Sequence, residues 1–179
     1  MKSIIDVLVE RHNKVKEFLN EGGEVSLISN IDDEFRKVLV LSIGSFFESE
    51  ITKAMHELAY KTQSERIANL IKAKAISRQY HTYFNWEGKN PNSFLALFGT
   101  TFKNAVSEEM QKNPSLHEGC RDFLKLGQRR NFLVHENFAS APMDRTLDEI
   151  QRMYKSALKF VAYLSDRIQN DQTIPPLHQ

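Results

Sequence analysis

The chain has 179 residues, 41% of them hydrophobic and 26% charged, which is ordinary for a globular protein. Its 24 basic and 23 acidic side chains leave a formal charge of +1. This balance excludes a general electrostatic attraction to nucleic acid, so any RNA binding has to come from a local patch. A single cysteine excludes an intramolecular disulfide. Since no secretory leader and no membrane-spanning apolar stretch is visible, we expect a cytoplasmic protein without membrane contact.

Apolar residues recur at helical spacing along almost the whole chain, and no alternating strand pattern of useful length is visible. A first helix is predicted from Ile4 to the glycine pair at 22–23. A long second helix is predicted after Asn30. Its middle, residues 38–47, is apolar on nearly every side, which predicts a helix surrounded by others. Gly44 is small enough there to let a neighbouring backbone come close.

The rest of the chain predicts four further helices. A third runs from about residue 64 to 84, a loop follows at 85–93, and a fourth helix covers 94–110. A fifth helix begins near Ser115, and a capping box at residues 146–149 opens the last. The inward-facing residues of the third helix are expected to be Ile67, Leu70, Ile71 and Ala75.

These elements predict an all-α fold, an up-and-down helical bundle of about five to six helices. Because no shift in composition marks a second domain, residues 1–170 are expected to form a single helical domain. The tail at 171–179 contains two adjacent prolines and is expected to be disordered.

The segment most indicative of function lies late in the predicted fifth helix, where Arg130, Asn131 and His135 fall within six residues. Arginine holds a phosphate by charge and by its forked donors, and histidine moves protons near neutral pH. Asn131 and His135 are four apart and share a helix face, whereas Arg130 diverges from His135 but is long enough to curl toward it. His135 would therefore transfer protons, Arg130 would neutralise phosphate oxygens, and Asn131 would orient either group.

A basic stripe accompanies this segment on the same predicted helix. Arg121, Lys125 and Arg129 are spaced four residues apart, so they form one row beside the candidate site. We predict that this row binds RNA. The remaining histidines and Cys120 have no metal-ligand spacing, so neither a metal nor a cofactor is predicted.

A purely structural explanation competes with this one. An arginine followed five to seven positions later by a histidine arises roughly once by chance in a chain of this composition. His135 near a helix C-terminus could simply complement the helix dipole. Arg129 and Arg130 could be solvated charges that pair with Glu136 or Asp122. Spacing alone favours the structural explanation.

The sequence around this segment favours the functional explanation over the structural one. Residues 130–135 (RNFLVH) resemble the Arg-x(4–6)-His signature of the HEPN superfamily (higher eukaryotes and prokaryotes nucleotide-binding), in which a polar residue commonly follows the arginine. Three further segments resemble its RiboL-PSP-HEPN branch: 45–49 in the second helix, 84–94 leading to 97–99, and 126–131. The resemblance covers roughly positions 35 to 165 in matching order, without the first helix and the tail.

This resemblance implies a helical, HEPN-like fold and an RNA-cleaving activity, because many members are metal-independent endoribonucleases that act as toxins or in phage defence. It carries Arg130 and His135 over as catalytic residues and Asn131 as their polar companion. It also suggests Glu48 as the acidic residue of the second helix that holds Arg130 in place. Glu50, two positions further on, points elsewhere on that helix.

RNA supplies its own nucleophile, the ribose 2′-hydroxyl, so cleavage needs one group to accept that proton and another to protonate the departing 5′-oxygen. A single imidazole is poorly placed to do both. A twofold homodimer would bring two histidines and two arginines into one cleft, as the family is understood to do. We therefore predict a homodimer with RNA as substrate, products ending in 2′,3′-cyclic phosphate, no metal requirement, and an antitoxin or defence-system partner.

Two other classes of function remain open. The chain is a noncatalytic helical module that dimerises or binds a partner, or it is a regulatory domain that binds a nucleotide or RNA without cutting it. RNA cleavage in the presence of a chelator separates both from the nuclease.

Overall fold

A computed structural model describes residues 2–170, which form an all-α bundle without β-strands. Its eight α-helices are Ile4–Glu21 (α1), Val25–Tyr60 (α2), Glu65–Ile71 (α3), Tyr80–Tyr83 (α4), Asn92–Leu95 (α5), Thr100–Lys112 (α6), Pro114–His135 (α7) and Leu147–Asn170 (α8). The predicted all-α class is confirmed, and the number of helices exceeds five to six because the predicted third and fourth helices are each divided. The tail expected to be disordered, 171–179, lies outside the described residues.

Three long helices carry most of the core. α2 and α7 both pack against α8 and against each other, and α1 lies on α2. Burial of their apolar side chains, at about 25 cal/mol per Å² removed from water, is the main force that holds the bundle. The largest fully buried apolar side chains of α2, α7 and α8 are Leu39, Ile43, Phe47, Ile51, Phe123, Leu126, Ile150 and Phe160.

α2 is not surrounded on all sides, contrary to the sequence prediction for its middle. Val38 is 41% exposed, and Ser45 and Ser49 are exposed as well. These residues recur at spacings of seven and four, so they lie on one face of the helix. The partners of α2 cover its other faces and leave this one open.

The predicted third helix is interrupted. α3 ends at Ile71, a π-helical turn follows at Lys72–Ile76, and Arg78 adopts a left-handed φ of 60° before α4 begins. The predicted inward orientation of Ile67 and Leu70 is wrong, because both are exposed. α3 is short and turns a different face, the one carrying Ala68, toward the bundle. Of the other two residues expected inside, Ile71 packs partly against the core and Ala75 is exposed.

The predicted fourth helix is divided at Gly99, whose φ of 96° is accessible to glycine but strained for other residues. α5 and a short 3₁₀ turn precede this break and α6 follows it. The loop predicted at 85–93 is present, although its last two residues already belong to α5. The predicted capping box is confirmed: the Glu149 amide donates to the Thr146 hydroxyl oxygen at 3.2 Å, and the Thr146 amide donates to the Glu149 carboxylate at 2.8 Å.

The loop before α5 is held on α7 by a close contact between Trp86 and Gly127. A Cβ atom on Gly127 would lie 1.9 Å from Cζ3 of the Trp86 ring. The Trp86 indole N–H donates to the carbonyl of His81 at 3.2 Å, which fixes the ring in this position. Glycine inside a helix usually lowers stability by about 1 kcal/mol relative to alanine. At position 127 glycine is required because any larger residue would collide with the Trp86 ring.

We therefore expect Gly127→Ala to destabilise the protein by about 1–3 kcal/mol, because the rigid indole ring or the helix has to move. Gly22→Ala is the matched control. Gly22 has a φ of −79°, and a Cβ there would meet no atom closer than 3.6 Å, so stability should stay equal or rise slightly. Urea unfolding followed by circular dichroism measures both. Equal stability of Gly127→Ala and the parent would contradict the packing described.

Candidate active site

Arg130 crosses from α7 to α2 over the backbone of Gly44. A Cβ atom on Gly44 would lie 2.7 Å from Cγ of Arg130 and 3.2 Å from its Cβ. The close approach expected at Gly44 therefore occurs, but the approaching group is the aliphatic part of a side chain. Any larger residue at Gly44 would displace the arginine near its root, where it has little freedom to give way.

Two neighbours hold the guanidinium of Arg130. One terminal nitrogen lies 3.7 Å from Oε2 of Glu48, and the other donates to Oδ1 of Asn131 at 3.1 Å. The Arg130 side chain is 24% exposed and that of Glu48 is 39% exposed. An ion pair that is this exposed adds little to the stability of the fold. Together with the hydrogen bond to Asn131, however, it gives the guanidinium a defined direction.

Glu48 and Glu50 face different parts of the bundle. Burial raises the pKa of Tyr83 to about 12, and the Glu48 carboxylate adds to that rise. Burial, and after it Glu48, also raise the pKa of Tyr80, while Arg130 opposes them. Glu50 instead adds to the raised pKa of Tyr154, a residue of α8. Of these two acids, Glu48 is the one beside Arg130.

His135 is the last residue of α7, and its side chain lines a cavity of about 600 Å³ together with Asn131. We call this space the histidine cavity. Its wall also includes Phe132, Met143 and Asp144. The predicted shared face of Asn131 and His135 is therefore present. Arg130 does not line the cavity and is linked to it through the bond to Asn131.

Arg129 also lines the histidine cavity, and its guanidinium lies over the ring of Phe132, with 4.8 Å between Cζ and the ring centre. One of its nitrogens is 3.7 Å from Asp144. Its Nε is buried without a hydrogen-bond partner. The structural explanation suggested Glu136 or Asp122 as ion-pair partners of these arginines. The acid nearest to Arg129 is instead Asp144, and the acid nearest to Arg130 is Glu48.

The other two residues of the basic stripe are exposed. Arg121 lies 3.5 Å from Glu118, and Lys125 makes no ion pair within the described residues. Lys125 lines the histidine cavity and a neighbouring cavity, which Arg121 also lines. The stripe therefore runs past both spaces. Successive members are about 6 Å apart along the helix axis.

Two cations of α2 that the sequence analysis missed hold the connection between α7 and α8. Lys37 is 2% exposed and donates to the carbonyl of Ala139 at 3.2 Å. Arg36 donates to the carbonyls of Met143 and Arg145 at 3.4 and 3.0 Å. Arg36 therefore positions the part of this connection that forms one wall of the histidine cavity, and Lys37 holds the part before it. The sequence gives no signal of these contacts, since the spacing of four between Asp33 and Lys37 is that of an ordinary ion pair on a helix.

We expect Glu48→Gln to lower the pKa of Tyr83, since removing a nearby negative charge makes the phenolate less unfavourable. The pKa should stay above the ordinary value because burial is the larger cause. Tyrosine labelled with ¹³C at Cζ reports this titration by NMR. Glu50→Gln is the matched control and should leave Tyr83 unchanged. A Tyr83 titration that responds to Glu50 instead of Glu48 would contradict the arrangement.

Among residues 2–170, no group of three or more His, Cys, Asp or Glu side chains is arranged to hold a metal ion. In the same range, no helix is both long and apolar enough to cross a membrane.

Comparison with known families gives a match to RiboL-PSP-HEPN over residues 6–170. The match extends over most of α1, beyond positions 35–165 on which the sequence resemblance rests, and ends with the last residue of α8. No curated protein and no solved structure matches the chain. Since almost the whole chain is matched and its described part is all-α, the chain belongs to the RiboL-PSP-HEPN family.

Proposed function

We propose that the chain is a metal-independent endoribonuclease. Family membership supports the coarser statement that it is a nuclease or another RNA-related module. The proposal of RNA cleavage is supported mainly by the arrangement of Arg130. Its side chain lies on Gly44, and its guanidinium contacts Glu48 and Asn131. Asn131 in turn lines the same cavity as His135. Phosphodiester cleavage without a metal can use one group that transfers protons and one cation that neutralises the phosphate oxygens, the roles proposed for His135 and Arg130.

In the proposed reaction the ribose 2′-oxygen attacks the adjacent phosphorus and its proton passes to an imidazole of His135. The bond from phosphorus to the 5′-oxygen breaks, and that oxygen takes up a proton from a second imidazole. The products end in a 2′,3′-cyclic phosphate and a 5′-hydroxyl. Arg130 neutralises the charge that builds up on the non-bridging oxygens, and Glu48 keeps its guanidinium in place.

The second imidazole would come from another copy of the chain, and HEPN domains often dimerise. Exposed apolar side chains beside the candidate site support a surface for that contact. Val134, adjacent to His135, is 53% exposed. Val38 lies on the open face of α2 and is 41% exposed; the preceding residue, Lys37, binds the connection that follows α7. Val134 and Val38 form the proposed dimer surface.

Val38→Glu should convert the dimer into a monomer and reduce RNA cleavage at least tenfold, because a charge would be buried in the contact. Light scattering coupled to size exclusion measures the mass. Val15→Glu is the control: Val15 is 49% exposed and belongs to α1, which contributes no residue to the proposed dimer surface, so mass and activity should not change. A parent protein that is already monomeric yet cleaves RNA would refute the composite site.

The decisive test of catalysis is incubation of the purified protein with RNA in EDTA. We expect cleavage with cyclic phosphate ends, and a loss of at least 100-fold in His135→Ala, since general acid–base catalysis contributes about 10²–10⁴-fold. His56→Ala, a half-buried histidine of α2 that lines no described cavity, is the matched control and should cleave normally. Cleavage that requires Mg²⁺ and leaves a 5′-phosphate would overturn the mechanism, and intact RNA would favour a noncatalytic RNA-related module.

A toxin or phage-defence role is part of the same proposal, with a restraining antitoxin or defence-system partner. Expression of the active protein should then slow growth, while His135→Ala should be tolerated at equal expression. Equal growth inhibition by both would show that any toxicity does not come from RNA cleavage.

A further inference from the structure

A second cavity, of about 650 Å³, lies between α6, α7 and the loop that precedes α5. We call it the tryptophan cavity, because Trp86 lines it. It adjoins the histidine cavity, and Glu87, Lys125 and Gln128 line both. The Gln128 amide donates to the Glu87 carboxylate at 2.7 Å, so this bond forms a bridge between the two spaces.

The floor of the tryptophan cavity is apolar and uncharged. Besides Trp86 it contains Met110, Leu124 and Cys120, all of which are buried. Burial raises the pKa of the Cys120 thiol to about 12, so the thiol is neutral at physiological pH. Such a surface suits the face of a flat, weakly polar ring.

The rim has a different chemistry, with amides and one imidazole. Gln111 and His117 are exposed and make no side-chain hydrogen bond within the described residues. Asn90 and Asn92 stand on the opposite side, in the loop and at the start of α5. An amide offers both donors and an acceptor, which is what the edge of a nucleobase requires.

The charges around this cavity favour a polyanion. Three cations line it, Lys89, Arg121 and Lys125, against one carboxylate, that of Glu87. That carboxylate is engaged by an amide of α7. In a chain with a formal charge of only +1, this is a local positive patch of the kind that RNA binding demands.

We propose that the tryptophan cavity binds a nucleobase of the RNA strand next to the scissile phosphodiester, with the strand crossing the Glu87–Gln128 bridge. This inference rests on the proposed function of the histidine cavity. The base lies on the apolar floor, its edge contacts Gln111 and His117, and the row of cations on α7 follows the backbone. The site gives the protein a preference for the base at one position of its substrate.

Trp86 is the single tryptophan of the chain, so its fluorescence reports on this cavity alone. The probes are four 2′-O-methyl tetranucleotides, one for each base, which cannot be cleaved because the nucleophile is blocked. A tetramer of the same backbone with abasic residues is the control probe. We expect at least one base-containing tetramer to change the fluorescence saturably. The abasic tetramer should bind at least tenfold more weakly.

The variant Gln111→Ala/His117→Ala removes the rim contacts without altering the Trp86 loop. It should raise the Kd of the preferred tetramer roughly tenfold, about 1.4 kcal/mol. The matched control is Asn104→Ala/His56→Ala, an exposed amide of α6 and a histidine of α2 that line no described cavity, and its Kd should not change.

Failure of this inference differs from failure of the proposed function. RNA cleavage in EDTA together with equal affinity for base-containing and abasic tetramers overturns the base site and leaves the nuclease. Saturable, rim-dependent binding without any cleavage supports the base site and removes the catalytic proposal.

Discussion

Arg130 lies across α2 because residue 44 has no side chain, and the geometry of the candidate site follows from that contact. A Cβ on Gly44 would meet the arginine at Cγ and Cβ, so no rearrangement of the guanidinium alone could relieve it. With the root of the side chain fixed, Glu48 and Asn131 are sufficient to direct its end. A partly exposed ion pair would orient a freely rotating arginine poorly, since its net energy is small.

One face of α2 organises the surroundings of this contact. Lys37, Gly44 and Glu48 are seven and four residues apart, which places them on the same side of the helix. Lys37 holds the connection after α7, Gly44 receives Arg130, and Glu48 orients it. α7 must therefore run antiparallel to α2, with His135 toward the N-terminal part of α2. Arg130 and the connection that follows His135 are thus both held by a single helix that also carries much of the core.

Local patterns predicted the helical class, the capping box at Thr146 and the end of α1, because each depends on residues close together in sequence. The break after Ile71 was not predicted, since a π-helical turn leaves the apolar pattern of the sequence almost unchanged. The sequence indicated that Asn131 and His135 share a face, a consequence of helix geometry. The roles of Lys37 and Arg36 depend on carbonyl groups about a hundred residues away, and no local pattern specifies such partners.

The positions of the two cavities suggest how a nearly neutral chain could bind RNA as proposed. Three of its 24 lysines and arginines, Arg121, Lys125 and Arg129, form one row on α7 that passes both cavities. The bulk of the protein would then contribute little to binding, and the strand would be recognised where the two cavities meet. Such a protein should discriminate among RNA substrates more by shape and base than by charge.

The most direct test of this account is a crystal structure of the protein with an uncleavable 2′-O-methyl dinucleotide. We predict two copies related by a twofold axis, with a phosphate between their His135 side chains and within hydrogen-bond distance of an Arg130 guanidinium. Copies whose His135 side chains face solvent, with the phosphate bound elsewhere and Arg130 still held only by Glu48 and Asn131, would contradict the proposed composite site.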